Sequence, residues 1–246
     1  VRFVNTGTEA TLNAIRAARA FSGKQKLLKC EGAYHGNHDA IQISVVPPLD
    51  KAGDADSPEA VKAFPGISET STDDIYIAPF NDIVAAEKII REHADELAAV
   101  IVEPVNGQCG MVPGKPEFLE GLRRVTDELG IILIFDEVIA FRIAYGGAQD
   151  YYGVTPDLTC FGKVVGGGMP VGAFGGREDI MSMWDPSDGG ATVQHAGTFN
   201  GNPMTAAAGV ATLENLTPEK YEYLDALGES LRTKLRALFA ELEVPM

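Results

Sequence analysis

The sequence is poor in cysteine, in basic residues and in long hydrophobic runs, and each shortage excludes a class of protein. Its three cysteines, Cys30, Cys109 and Cys160, show no CxxC spacing, which argues against a disulfide framework and indicates a reduced, cytosolic protein. The 20 basic residues against 35 acidic ones give a net charge of −15, which disfavours nucleic acid as a partner. The longest apolar run is about half of what a membrane span needs, so no transmembrane helix is predicted.

Metal and nucleoside triphosphate motifs are also missing. The four histidines show no zinc-ligand spacing, so no metal site is predicted. A GxxxxGK[ST] phosphate loop is absent, because Gly23-Lys24 and Gly162-Lys163 both lack the first glycine and the following Ser or Thr. An ATPase is therefore disfavoured.

What is present is ordinary globular composition, with 246 residues of which 45% are hydrophobic. The chain starts at Val1 rather than Met, and no signal peptide is visible. It finishes with LEVPM directly after a strong helical pattern. We therefore expect both ends to be cut and the sequence to be part of a longer protein.

Apolar runs alternate with amphipathic helical patterns along the chain. The runs at 98–104 and 131–137 predict buried strands, and a stripe that starts at Pro116 and stops at Gly130 predicts a helix. This alternation predicts an α/β fold, a three-layer, mostly parallel sheet with helices on both faces. The Pro- and Asp-rich stretch 47–74 predicts a long loop. Further strands are predicted at 1–4, 26–31, 74–80, 157–161 and 171–176, and further helices at 8–21 and after Asp82, Asn202 and Thr217.

Ligands of open α/β sheets bind where strands end, so the residues after each strand are the candidates for function. The first of these stretches, Thr6-Gly7-Thr8-Glu9, begins a helix. The free N–H groups and positive dipole of such a helix start suit a phosphate. The same residues also fit an ordinary threonine N-cap with an acidic first turn.

A second candidate is Asp136, which follows the apolar run ILIF at the end of a predicted buried strand. A buried carboxylate is costly unless a cation or hydrogen bonds compensate it. It could bind magnesium, pair with a protonated ring nitrogen, or be structural. The missing phosphate loop counts against magnesium.

A third candidate is Lys163, which lies between an apolar strand and the glycine run 166–168. We expect its amine to be desolvated, as Schiff-base chemistry requires, although a surface lysine with a buried stem also fits. Pyridoxal phosphate needs all three features together: an anion site, a carboxylate for the pyridinium nitrogen, and a lysine amine.

The residues that carry these signals resemble the class III aminotransferases of pyridoxal phosphate fold type I, close to the glutamate-1-semialdehyde 2,1-aminomutase branch. The matching stretches occur in the family's order and are VRFVNTGTEA, EGAYHGNHD, VEPVNG, ILIFDEV, AYGGAQDYYGVTPDLTCFGKVVGGGMPVGAFGG and GTFNGNP. The resemblance implies a pyridoxal-phosphate-binding large domain over 1–216, incomplete at its N-terminus. It also implies that 217–246 begins a small domain or forms a connecting helix.

The resemblance implies contacts with each part of the cofactor. Gly7 and Thr8 would hold the phosphate. Tyr34, in an aromatic-His-Gly motif, would stack on one face of the ring, and Val138 would pack on the other.

The resemblance also implies the catalytic roles. Asp136 would keep the ring nitrogen protonated, and Lys163 would form the internal aldimine and then act as base for the proton shift. Thr198 would reach the phosphate bound by the neighbouring subunit, which requires a homodimer. Glu103 would lie behind the residues that contact the cofactor and would support them.

The expected function is therefore amino transfer between small molecules, an amino acid or amine and a carbonyl acceptor, by a cytoplasmic homodimer. Two alternatives remain open, an aminomutase that moves the amino group within one molecule and a non-catalytic module that only binds pyridoxal phosphate. A third, a pyridoxal-phosphate decarboxylase, is disfavoured by the motifs. The turn Ile139–Arg142 is one residue shorter than the aminomutase pattern, and Gln108 stands where aminomutases usually carry Asn.

Overall fold

A seven-stranded sheet forms the middle layer of the computed structural model, which describes residues 1–187 and 190–244. The strands are β1 (Arg2–Val4), β2 (Lys26–Cys30), β3 (Gly53–Asp54), β4 (Ser57–Pro58), β5 (Ile75–Ala78), β6 (Leu97–Val102), β7 (Val105–Asn106), β8 (Val112–Pro113), β9 (Ile132–Asp136), β10 (Leu158–Gly162) and β11 (Gly172–Gly176). The strand order of the sheet is β1-β11-β10-β9-β6-β2-β5, and every neighbouring pair is parallel except the two that involve β11. The strands β3 with β4, and β7 with β8, form two separate hairpins.

The helices begin and end at residues suited to those positions. They are α1 (Gly7–Ser22), α2 (Ile83–Glu92), α3 (Pro116–Leu129), α4 (Gly147–Tyr152), α5 (Glu178–Met181), α6 (Pro203–Asn215) and α7 (Pro218–Glu241). Gly23 and Gly130 follow α1 and α3 in the left-handed conformation, with φ of 71° and 65°. Asp82 caps α2 by accepting the amide of Ala85 at 3.0 Å.

Two hydrophobic cores lie on opposite faces of the sheet, because successive strand residues point to opposite sides. Leu27 of β2 and Ile101 of β6 pack in the core that contains α1. Their neighbours Leu28 and Val100 pack in the core that contains α2 and α3. This arrangement confirms the predicted three-layer α/β fold with a mostly parallel sheet.

The predicted central elements agree with the structure to within two residues at each end. The loop predicted at 47–74 contains the β3–β4 hairpin and a single 3₁₀ turn at Glu69–Thr72. The β7–β8 hairpin and α4 were not predicted, because elements so short leave no periodicity to detect.

The C-terminal helices are the least buried part of the fold. No residue of α7 is buried, and its leucines Leu227, Leu231, Leu235 and Leu238 are exposed. The proposed division at residue 216 stays a prediction, and residues 245 and 246 lie outside the described part of the chain. In residues 1–187 and 190–244, no helix combines the length and apolarity needed to cross a bilayer.

Candidate active site

A pocket of about 210 Å³ lies where the carboxyl ends of the central strands meet the start of α1. Every predicted site residue except Thr198 lines it. The residues that line it are Gly7, Thr8, Tyr34, His35, Gly36, Glu103, Asp136, Val138, Ile139 and Lys163. Of these, the sequence analysis did not identify His35, Gly36 and Ile139 as site residues.

The start of α1 forms one end of this pocket. Thr6 caps the helix by accepting the amide of Glu9 at 3.1 Å, and the Glu9 carboxylate accepts the amide of Asn5 at 2.6 Å. The simple N-cap interpretation of these residues is therefore correct. The cap bonds the amide of Glu9 and does not use the amides of Gly7 and Thr8, which precede it in the helix. The cap is therefore compatible with an anion site at the helix start.

Glycine is required at position 7 by the close approach of another segment. A Cβ atom on Gly7 would lie 2.9 Å from Cγ2 of Val138, and one on Gly162 would lie 3.2 Å from Cγ1 of the same side chain. The start of α1, the turn after β9 and the end of β10 therefore meet at Val138. This contact places the helix start beside the two strand ends that carry Asp136 and Lys163.

Asp136 is buried at the end of β9 and accepts two hydrogen bonds. Its Oδ1 accepts the amide of Val138 at 3.1 Å, and its Oδ2 lies 2.9 Å from Nδ1 of His35. Since the carboxylate can only accept, Nδ1 is assigned as the donor. A carboxylate has about four acceptor positions, so these partners leave room for another donor from the pocket.

His35 is the main site residue that sequence reasoning missed. Its side chain is buried, and its Nε2 has no hydrogen-bond partner among the described residues. The sequence holds part of the signal, because a buried Asp136 needs a partner and His35 follows β2, a parallel strand separated from β9 by β6.

The turn that carries His35 is docked onto α1. Thr11 donates its hydroxyl to the carbonyl of His35 at 2.5 Å, and Thr8 accepts the amide of Asn37 at 3.1 Å. Gly36 has a φ of 102°, and a Cβ there would lie 2.7 Å from Cα of Thr8. This contact fixes the turn against the same helix start that closes the pocket.

Glu103 ties this turn to the loop after β6. Its Oε2 accepts the amide of Tyr34 at 3.0 Å, and its Oε1 accepts the amide of Gly107 at 3.3 Å. Burial raises the pKa of Glu103, and the nearby Asp136 carboxylate acts in the same direction. Glu103 therefore lies behind Tyr34, and its supporting role stays a prediction.

Lys163 lines the pocket but is exposed, so the predicted desolvation of its amine is not observed in this chain. The reason is local, since β10 ends at Gly162 and the chain turns into a 3₁₀ turn that carries the lysine out of the buried layer. Lys163 has a φ of 50°, in the left-handed region that is rare for residues other than glycine. Such backbone strain clusters at functional sites.

Thr198 is exposed in the segment before α6 and lies outside the pocket. Its predicted contact is with the neighbouring subunit, so this position leaves the prediction open.

A separate apolar cleft of about 280 Å³ lies between β1 and α6, lined by residues such as Phe3, Val165 and Leu213. Among the described residues, no group of three or more His, Cys, Asp or Glu side chains could hold a metal ion.

This fold, with its site at the strand ends, defines an α/β protein whose pocket combines a helix start, a buried acid and a lysine. The family model described as "Aminotransferase class-III" matches residues 1–245. Because the match covers almost the whole chain, the chain belongs to the class III aminotransferase family. The predicted family is therefore confirmed.

Individual relatives include both transaminases and aminomutases. Glutamate-1-semialdehyde 2,1-aminomutase 2 of Staphylococcus haemolyticus is 45% identical over 247 residues, covering 100% of this chain and 56% of that protein. An omega-transaminase structure from Sphaerobacter thermophilus has a TM-score of 0.95 and 44% identity, covering 99% of this chain and 56% of that one. A glutamate-1-semialdehyde aminomutase variant from Pseudomonas aeruginosa PAO1, solved in complex with PMP, has a TM-score of 0.83 and 26% identity, covering 99% and 54%. This chain spans about half the length of the curated relatives it matches.

Proposed function

We propose that the full-length protein is a pyridoxal-phosphate-dependent aminotransferase that moves an amino group from an amino acid or amine to a carbonyl acceptor. The observation that carries the proposal is the single pocket that holds Asp136, Lys163 and the start of α1. The cofactor is supported by the family match and by the PMP bound to the Pseudomonas aeruginosa relative. PMP is the aminated form of the same cofactor.

The residues present fit pyridoxal phosphate. The bound cofactor supplies an electron sink for the carbon that loses a proton. Asp136 has acceptor capacity beyond Val138 and His35, and that capacity suits a protonated ring nitrogen. The amides of Gly7 and Thr8 suit the phosphate at the helix start.

The remaining lining residues position the ring and move the proton. The side chains of Tyr34 and Val138 suit its two faces. Lys163 supplies the amine that attaches the cofactor and afterwards accepts and returns a proton. Its exposed position leaves the amine accessible to an incoming substrate.

The test of the proposed function is the absorbance spectrum of the full-length protein loaded with pyridoxal phosphate. A transaminase loses its visible band when a suitable amino donor is added and regains it when a carbonyl acceptor follows. A screen of amino acids and amines identifies the donor. A spectrum that no donor changes would overturn the proposal and favour the non-catalytic binding module.

Aminomutase activity is the second candidate, because a 45% identical relative carries that name. An aminomutase would convert glutamate-1-semialdehyde without any second substrate. A transaminase would need a separate donor and acceptor. Incubation with the semialdehyde alone, followed by product analysis, separates the two.

The proposal includes a homodimer in the cytoplasm that acts on small molecules. The support for a second subunit is the apolar surface around Thr198, where Phe199 and Met204 are each 70% exposed. Exposed apolar area of this kind marks an interaction surface. In this proposal, Thr198 at this surface contacts a cofactor held by the other copy.

Replacing Thr198 with valine should weaken binding of pyridoxal phosphate roughly 10- to 100-fold. The change removes one hydroxyl that would bond a charged phosphate, a bond that contributes about 1.5 to 3 kcal/mol. Equilibrium dialysis on the full-length protein measures the dissociation constant. Thr192→Val, at an exposed threonine of the same segment, is the matched control. Equal affinities, or tight binding by a proven monomer, would remove Thr198 from the site.

Replacing His35 with phenylalanine should slow amino transfer by roughly 10- to 100-fold, the range for a lost hydrogen bond to a charged group. The substitution leaves Asp136 with Val138 as its remaining partner. His35→Gln, which keeps an N–H donor, should recover part of the rate. Single-turnover kinetics measure the effect, with His93→Phe, at a surface ring stacked on Tyr76, as the control. An unchanged rate in His35→Phe would show that this pair does not support the reaction.

A further inference from the structure

Two buried side chains of opposite charge hold one peptide group in the turn after β2. The ammonium of Lys29 donates to the carbonyl of Ala33 at 2.7 Å, and the carboxylate of Glu103 accepts the amide of Tyr34 at 3.0 Å. That carbonyl and that amide belong to the same peptide bond. Lys29 is 0% exposed and Glu103 is 4% exposed.

Neither charge has an ion-pair partner among the described residues, which makes their burial costly unless the backbone compensates it. Lys29 also donates to the carbonyl of Ile43 at 2.5 Å, and Glu103 also accepts the amide of Gly107 at 3.3 Å. Burial lowers the pKa of Lys29 to about 8, so the ammonium form predominates at neutral pH. Both charged side chains therefore form their hydrogen bonds with backbone groups of the loops around the pocket.

The pair fixes the orientation of the peptide as well as its place. A peptide group has a dipole of about 3.5 D, with its negative end at the carbonyl oxygen. Here the carbonyl points to the ammonium and the amide points to the carboxylate. A flipped peptide would present the carbonyl to Glu103 and the amide to Lys29, and both contacts would be repulsive.

The residue that follows this peptide is Tyr34, which lines the pocket and keeps a 40% exposed side chain. A ring that exposed is not held by packing alone, so the direction of its Cα–Cβ bond depends on the main chain. The main chain at this point is set by the clamp, the pair formed by Lys29 and Glu103.

We infer that Lys29 is a positioning residue that acts with Glu103 to hold Tyr34 in place for the cofactor ring. The part of the inference that concerns the cofactor ring rests on the proposed function. The clamp itself is a property of the protein without cofactor. Its two parts can therefore be tested separately.

The first test measures amide hydrogen exchange in the full-length protein without cofactor. Lys29→Met removes the ammonium at similar length and should speed exchange of the segment 31–36 about tenfold, without a comparable change in the distant strand β9. The control is Lys26→Met, at the lysine of the same strand that pairs with Glu96 at the surface, which should leave 31–36 unchanged. If Lys29→Met does not fold, Glu103→Gln replaces it in this experiment, because it keeps the shape of the side chain, removes the charge and should also speed exchange at 31–36. Unchanged exchange at 31–36, or an equal increase throughout the sheet, would overturn the clamp.

The second test asks whether Lys29 acts through Tyr34. Lys29→Met should raise the dissociation constant for pyridoxal phosphate about tenfold in the otherwise normal protein, and much less in a Tyr34→Leu background, because residues that act together are not additive. The same fold-change in both backgrounds would contradict the inference and assign Lys29 a general structural role. A normal protein that binds no pyridoxal phosphate would overturn the proposed function, while the exchange experiment would still decide the clamp.

Discussion

Lys163→Ala is expected to abolish amino transfer while the full-length protein still binds pyridoxal phosphate without a covalent bond. The mutation removes the amine that attaches the cofactor and the group that moves the proton, and proton transfer alone contributes roughly 10² to 10⁴ in rate. The start of α1 and Asp136 remain in place to hold the phosphate and the ring. Single-turnover kinetics and the absorbance spectrum measure the two effects.

The control for this experiment is Lys88→Ala, which removes an exposed lysine of α2 that does not line the pocket. It should keep both the visible band and the rate. A band of covalently attached cofactor that survives in Lys163→Ala would show that another lysine carries the attachment. Such a result would remove the central residue of the proposed site.

Asp136→Asn is expected to lower the single-turnover rate by roughly 10² to 10³, the range seen when one preorganised electrostatic group is removed. Asparagine keeps the shape of the side chain, but it has no charge to hold a proton on the ring nitrogen. Pyridoxal phosphate should still bind, because the helix start and Lys163 are untouched. Equilibrium dialysis alongside the kinetics separates binding from turnover.

Asp150→Asn, at an exposed carboxylate of α4, is the matched control and should leave the rate unchanged. If Asp136→Asn retains the normal rate, Asp136 is a structural residue and its bond with His35 serves the fold. If the variant loses the fold, circular dichroism will show it, and the rate then reports nothing about the ring nitrogen. Asp136→Glu, which keeps the charge at a different reach, then tests the same role.

The sheet was predictable because its strands are unbroken apolar runs with helices between them. β9 illustrates this, since ILIF ends in an acid and the next helix pattern begins only after a turn. Parallel strands place their carboxyl ends at one edge, so Asp136, Glu103 and the start of α1 were expected together. The pocket brings these residues together.

The contacts between segments were not predictable from the same patterns. The spacing of the sequence does not pair His35 with Asp136, because the two residues are 101 positions apart and follow β2 and β9, two strands that are separated by β6 in the sheet. The exposure of Lys163 depends on where β10 stops and on a left-handed backbone at the lysine itself, neither of which periodicity encodes. The clamp depends on a lysine buried inside β2, a residue that the sequence analysis did not identify.

The strand order has a consequence for the timing of folding during synthesis. β1 lies at the edge of the sheet and pairs with β11, so the first strand of this chain waits for residues 172–176 to be made before it can join. Pairing between segments so far apart in the chain is slow, because the chain loses the entropy of closing a long loop before the strand contacts can stabilise it. The pocket is lined by residues from Gly7 to Lys163, so its lining is complete only after residue 163 has been made. The edge strand directly before the helix start is therefore paired only after the last of these lining residues has been made.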